Sequence, residues 1–247
     1  MACSAQRDCR AAYGAHVKEE LAHVESIDAH ADHRDAEARL LALGWAACGR
    51  GDWAIALQSP SGQLAARISP FDPTAPFTAK LYREGRDTGW FPELLLEHPL
   101  AGGANLLLME FLHPADLELG IDIHRRLQEK DHSVRDAANL IEQIHAEACR
   151  ALAWCGPIDD NPSNIMVASD GSPRITDPYY AAGPALYGAI LDSPLEVARA
   201  IPAEQRRHIL EIPMDSTGRW EPHLLQEMRD GLAHADAALA GGEGDPR

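Results

Sequence analysis

The stretch from Pro157 to Pro178 constrains this chain more than any other. Asp170-Gly171 signals a tight type I′ turn between two short runs rich in β-formers, so Ile165 to Val167 is predicted to pair with Arg174 to Thr176. Whether the loop holds two residues or four, from Ser169 to Ser172, that register sets Asn164 opposite Asp177. The pair then falls at a non-hydrogen-bonded position, where facing side chains are closest, at about 4.5 Å between Cα atoms. Pro173 fits, because its missing N–H points away from the partner strand. A carboxylate and an amide oxygen converging at a hairpin's open end are hard ligands suited to Mg²⁺, which fills its shell with water and phosphate oxygens. Asp159 stands upstream of Asn164, on the loop entering the first strand. Taken alone, the same residues also make an ordinary surface hairpin with polar ends.

At 247 residues the chain can bury a substantial core and form one or two domains. Its 22 Lys and Arg against 38 Asp and Glu give a formal charge of −16, which argues against a general nucleic-acid or anionic-membrane surface while leaving room for a local basic cleft. No apolar run reaches the roughly 18 residues of a membrane span and the first residues carry no signal-peptide core, so a cytoplasmic protein is expected. Cys3, Cys9, Cys48, Cys149 and Cys155 are scattered and odd in number, which favours buried or free thiols over disulfides or a zinc site.

The pattern Asp-x-x-x-x-Asn, hairpin, Asp resembles the catalytic loop and metal-binding aspartate of the protein-kinase-like superfamily, which includes aminoglycoside-type phosphotransferases. The resemblance implies that Asp159 is the catalytic base, Asn164 a metal ligand and Asp177 the main metal ligand. The chain departs from the family at Pro157, where a His usually stands, and at Asp177-Pro178-Tyr179, which replaces Asp-Phe-Gly.

Upstream, Gly49-Arg50-Gly51-Asp52-Trp53-Ala54 comes close to the family's glycine-rich loop over the ATP phosphates, although two glycines and an aspartate also make an ordinary turn. Strands at Ala54 to Leu57 and Leu64 to Ile68 follow, joined through Ser59-Pro60-Ser61-Gly62. The second resembles the family's third strand, with Arg67 in place of the phosphate-binding Lys, a longer and planar cation. Phe77 to Arg86 reads as a short helix in which Glu84 is the candidate partner for that base, with Asp87 as a fallback. Phe91 to Leu96 and Asn105 to Leu112 read as a hairpin, and the run ending at Glu110-Phe111-Leu112 resembles a hinge strand whose backbone meets adenine.

Tyr13 to Leu43 reads as one interrupted or two consecutive helices, with His16, His23, His30 and His33 on a solvated face. Helices are also expected at 120–130, 134–154, 193–210 and 222–240, and His145 reads as a core or boundary histidine. The expected fold is α+β and two-lobed: an N-terminal helical extension at 1–43, a small β-rich nucleotide-binding lobe at 44–113, a helical large lobe at 114–240 and a disordered tail at 241–247. The resemblance implies ATP with Mg²⁺, and transfer of the γ-phosphoryl group to a hydroxyl. Because no long activation segment follows Asp177, the acceptor is expected to be a small molecule. The alternatives are a pseudokinase that holds nucleotide without chemistry, and an adaptor meeting a protein partner through its N-terminal helices.

Overall fold

The computed structural model describes residues 14–28, 30–211 and 220–242. The described residues open with α1 (Ala15–Glu25) and α2 (His33–Ala42). Asp32 starts α2 with a capping box: its side chain accepts the Arg34 and Asp35 N–H groups, and the Asp35 carboxylate accepts from the Asp32 N–H. The two helices lay Val17, Leu21, Val24, Ala36 and Leu40 against Leu57, Leu64, Ile68, Leu106 and Leu108 of a sheet, so their apolar stripes cover its outer face.

That sheet is antiparallel, in the order β1 (Ala46–Arg50), β2 (Ile55–Gln58), β3 (Leu64–Ser69), β5 (Asn105–Glu110), β4 (Leu94–Pro99). In β3, Leu64, Ala66 and Ile68 point into the core under α1 and α2, so the period of two sends Arg67 to the opposite face. Helix α3 (Ala75–Glu84) covers that face, packing Leu81 and Tyr82 with Leu107 and Met109. Strand β5 is therefore buried on both sides, which accounts for its unbroken apolar run. Strand β1, which the sequence pattern did not show, is exposed throughout and ends in the glycine loop, where Gly51 N–H donates to Ala54 O at 2.8 Å.

The rest is mainly helical: α4 (Leu117–Gln128), α5 (Arg135–Ala151), α6 (Gly183–Asp192), α7 (Pro194–Ala200) and α8 (Pro222–Gly242), with a small sheet of β6 (His113–Pro114), β7 (Ile165–Val167) and β8 (Pro173–Ile175). His113-Pro114, expected as a boundary between lobes, pairs with Val167 and Met166 of β7. The helix expected at 193–210 stops at Ala200, just before Pro202, and continues only as a 3₁₀ turn at Ala203–Gln205. Gly241 and Gly242, expected in a disordered tail, belong to α8, and residues 243–247 lie outside the described residues. Tyr13, Cys3 and Cys9 also lie outside them.

The hairpin register differs by one residue from the expected one. Ile165 pairs with Ile175, Met166 with Arg174 and Val167 with Pro173. The loop holds three residues, Ser169 to Gly171, closed by Ala168 N–H to Ser172 O at 2.9 Å, with Gly171 at φ 84°. A three-residue loop needs one left-handed residue, and glycine supplies it without a Cβ clash. Asn164 therefore faces Thr176, whose N–H and hydroxyl both donate to Asn164 O, at 2.7 and 2.8 Å. Asp177 lies one step beyond the ladder.

Candidate active site

A cleft of about 610 Å³ opens between the sheet and the helical part of the chain. Gly49 lines it from β1, Gly51 from the β1–β2 loop, Arg67 from β3, Glu110 and Leu112 from the end of β5 and just past it, and Asp159, Asn164 and Asp177 from the loops around β7 and β8. These residues come from stretches far apart in sequence, and the sheet and small hairpin bring them to one wall-and-floor arrangement.

Asp177 adopts φ 42°, an uncommon left-handed conformation for a non-glycine residue. It is held there by its own N–H donating to the buried Tyr82 hydroxyl at 3.1 Å and by Arg67 Nε donating to its Oδ2 at 3.2 Å. What reaches Asn164 is the Asp177 backbone oxygen, 3.4 Å from Asn164 Nδ2, and not the carboxylate that the expected register set opposite it. Asn164 Nδ2 also donates to Asp159 Oδ2 at 2.9 Å, and Asp159 Oδ1 accepts the Asn161 N–H at 2.9 Å. With its amide nitrogen so engaged, Asn164 keeps its side-chain oxygen without a partner among the described residues.

Arg67 is the centre of charge. Its side chain is only 14 % exposed, with Nη2 at 3.1 Å from Asp72 Oδ2 and Nε on Asp177. Burial lowers the affinity of Arg67 for its proton, but Asp177 and Asp72 outweigh it and hold the guanidinium firmly charged. Its third nitrogen, Nη1, is buried with no hydrogen-bond partner among the described residues. Burial, and secondarily the charge of Asp177, raises the Tyr82 hydroxyl far above its usual range, so it stays protonated beside them.

The partner expected for Arg67 is corrected. Glu84 lies at the exposed end of α3, 3.8 Å from Lys80, and does not line the cleft. Asp87, the fallback, sits in an exposed 3₁₀ turn beyond it. Asp72 takes the role instead, just before α3, where its Oδ1 also accepts from the Thr74 N–H and hydroxyl at 2.9 and 2.7 Å. The signal for it was the Asp-x-Thr spacing ahead of a Pro-containing helix start.

Two further residues support the floor. Gly120 of α4 lies so close to Pro162 that a Cβ would run into the Pro162 carbonyl, so the helix rests directly on the turn that carries Asn164. His145 of α5 lies 2.8 Å from Gly156 O, and since a carbonyl only accepts, its Nε2 is the donor. It stacks on Tyr179 at 6.0 Å and braces the backbone beside Pro157. Leu112 lines the same cleft just past the end of β5, and its backbone N–H has no partner among the described residues.

No family model matches the chain, and neither does any curated protein sequence. Among solved structures, it is similar to a chain of the CAK complex from Chaetomium thermophilum bound to ATP-γ-S, at 18 % identity over 55 % of this chain and 46 % of that one, with a TM-score of 0.37. The match thus spans under half of that kinase-complex chain. It is also similar to the macrolide 2′-phosphotransferase MphH from Brachybacterium faecium, solved as apoenzyme, at 11 % identity over 81 % and 87 % of the two chains, with a TM-score of 0.31. An apo pseudokinase matches at 12 % identity over 76 % and 82 %, with a TM-score of 0.27. The chain's own element order, a five-stranded antiparallel sheet with its cross-packed helix followed by a helical part and a short hairpin at the cleft, is α+β, in the order that the sequence resemblance implies. Among the described residues, no helix is long and apolar enough to cross a membrane.

Proposed function

We propose that the cleft binds a nucleoside triphosphate with Mg²⁺ and transfers its terminal phosphoryl group to the hydroxyl of a small molecule. The observation that carries this is Arg67, a guanidinium fixed by Asp72 and Asp177 in the lining of a cleft that also holds Asp159 and Asn164, with its buried Nη1 lacking a hydrogen-bond partner among the described residues. A buried donor without a partner is costly, and a phosphate oxygen is the acceptor that suits it. Leu112 N–H offers a hydrogen bond to a base at the other end of the cleft.

The residues fit a hard cation: Asp177 supplies a carboxylate and Asn164 an amide oxygen left open by its amide nitrogen's bonds. When bound there, Mg²⁺ supplies charge neutralisation for the phosphates. Arg67 positions the phosphate chain, while Asn164 and Asn161 fix the Asp159 carboxylate through its two oxygens. Asp159 then takes the proton of the attacking hydroxyl as the new O–P bond forms and the nucleoside diphosphate leaves.

A second reading rests on the Arg67–Asp177 contact. The guanidinium already neutralises the metal-binding carboxylate, which favours a module that holds nucleotide without metal or chemistry. Diphosphate formation from Mg²⁺-ATP, measured over a panel of hydroxylated small molecules with wild type and Asp177→Asn, separates the two. Asn tolerates the left-handed backbone, so the variant removes charge and little else. Acceptor-dependent turnover that disappears in the variant is expected. ATP binding with no acceptor raising turnover above the variant leaves the second reading standing.

A further inference from the structure

Three segments meet where α2 begins: its N-terminus, the turn Ala101–Gly103 between β4 and β5, and the stretch 203–211 after α7. Ala101 N–H donates to Ala31 O at 2.9 Å, and Gly102 lies so near His208 that a Cβ there would strike its ring. Two histidines are buried at this junction, His33 at 8 % exposure and His208 at 5 %, with ring centroids 4.7 Å apart in edge-to-face contact. His33 was expected on a solvated face; its burial follows from a contact with a segment far away in sequence.

Glu211 meets both rings, with His33 Nε2 at 3.3 Å from Oε2 and His208 Nδ1 at 3.1 Å from Oε1. Burial, then the neighbouring His208, holds the His33 ring below the ordinary imidazole range and favours its neutral form. An ionised carboxylate only accepts, so His208 Nδ1, hydrogen-bonded to Glu211, carries the proton and the lone pair of that neutral ring falls on Nε2. His33 Nε2 meets Glu211 at ion-pair distance only, and a proton there leaves the lone pair on His33 Nδ1. Those two atoms are buried without a hydrogen-bond partner among the described residues. Asp32 faces the same point. Its Oδ1 is taken by the Arg34 and Asp35 N–H groups, while its Oδ2 stands 3.9 Å from His208 Nε2, too far for a hydrogen bond. One ligand atom from each of Asp32, His33 and His208 lies within 4.8 Å of the others.

We infer that Asp32, His33 and His208 form a binding site for a divalent transition-metal ion, Zn²⁺ by preference, with Glu211 orienting the two imidazoles. Zn²⁺ takes His nitrogen and Asp oxygen at about 2.0–2.2 Å, so tetrahedral ligands stand roughly 3.3 Å apart. The Asp32–His208 pair, at 3.9 Å, has to close by about half an ångström, and any pair at the 4.8 Å limit by about 1.5 Å. Two imidazoles and a carboxylate select such an ion over Mg²⁺ or Ca²⁺, which prefer shells of oxygen. A carboxylate that receives the distal N–H of a ligating His fixes its tautomer and strengthens its donation. Arg34 Nη2, at 2.5 Å from Glu211 Oε2, keeps Glu211 in that orienting role. The ion ties the start of α2, which covers the sheet, to the segment after α7 in the helical lobe. It is independent of the cleft chemistry.

The test is a titration of the metal-stripped full chain with Zn²⁺, and with Co²⁺ as a spectroscopic probe, followed by calorimetry, visible absorption and melting temperature. His145, Cys149 and Cys155 also gather within 4.8 Å, so the titration uses a Cys149→Ser, Cys155→Ser background. Expected there are one zinc equivalent, a rise in melting temperature that Mg²⁺ does not reproduce, and a Co²⁺ spectrum free of thiolate charge transfer. Glu211→Gln should weaken binding by about 10- to 100-fold, and His33→Gln and His208→Gln by more. Asp32→Asn keeps the helix cap, so it should lose affinity while remaining folded. No zinc-dependent shift in that background, or an undiminished shift in Asp32→Asn, His33→Gln and His208→Gln alike, overturns the site.

Discussion

Arg67→Ala is expected to cost about 3–5 kcal/mol of stability, the usual range for removing one member of a buried ion pair. Most of this comes from Asp72, whose side chain is 4 % exposed and would be left charged with only Thr74 to meet it. Asp177, at 39 % exposure, turns to solvent and contributes little. For a chain of this length the loss corresponds to a melting temperature lower by roughly 6–20 °C. Arg67→Lys keeps the charge but reaches only one carboxylate at a time, so its loss should be smaller. The double change Arg67→Ala, Asp72→Ala should recover part of the single variant's loss, because no uncompensated carboxylate remains. A single variant that melts with wild type would show that Asp72 is not held as a buried charge against Arg67. The same result would remove the basis for an oriented Nη1.

Asp159→Asn is expected to lower turnover on any acceptor by about 10²- to 10⁴-fold, the range for losing a general base, with nucleotide binding retained. The two hydrogen bonds on its carboxylate are what make the prediction specific, since they aim one fixed group at the cleft. Asp160 is exposed and does not line the cleft, so Asp160→Asn should behave as wild type. If Asp160→Asn is the damaging change, the proton acceptor has been assigned to the wrong carboxylate.

Much of the architecture was legible because it follows from short-range periodicity. The alternation in Leu64 to Ile68 reports a sheet with two different faces, and the unbroken run in β5 reports burial on both. The stripes at Val17, Leu21 and Val24 report a covered helix face, although nothing in them names the surface that covers it. The hairpin was legible as a hairpin, but its register was not. Asp170-Gly171 serves a two-residue loop and the last two places of a three-residue loop equally well, with Gly171 left-handed in both, and only the backbone of Asp170, which a type I′ turn needs at positive φ and which is not so here, separates them. A slip of one residue reverses every side chain in a strand, and Asn164 then reaches Asp177 through its backbone oxygen.

The illegible parts are the ones fixed by long-range contact. Strand β1 has no apolar alternation and is held by pairing to β2, with a bulge between Ala47 and Gly49. Asp72 lies outside any periodic element, so helix spacing could not find it, and spacing instead favoured Glu84. His33 and His208 are far apart in sequence, and no local pattern couples them. His145 offers the converse case: its position near an apolar helix face was readable, while its bond to Gly156, ahead of the Asp159 loop, was not.

The central claim is that Asp177, Asn164 and Arg67 together hold a metal-bound nucleotide. Equilibrium titration with ATP, with and without Mg²⁺, on wild type and Asp177→Asn tests it most directly. The predicted result is saturable binding by wild type that tightens with Mg²⁺, and binding by Asp177→Asn that no longer responds to Mg²⁺. Absence of binding by wild type at millimolar ATP, or an equal Mg²⁺ response in both proteins, contradicts the assignment.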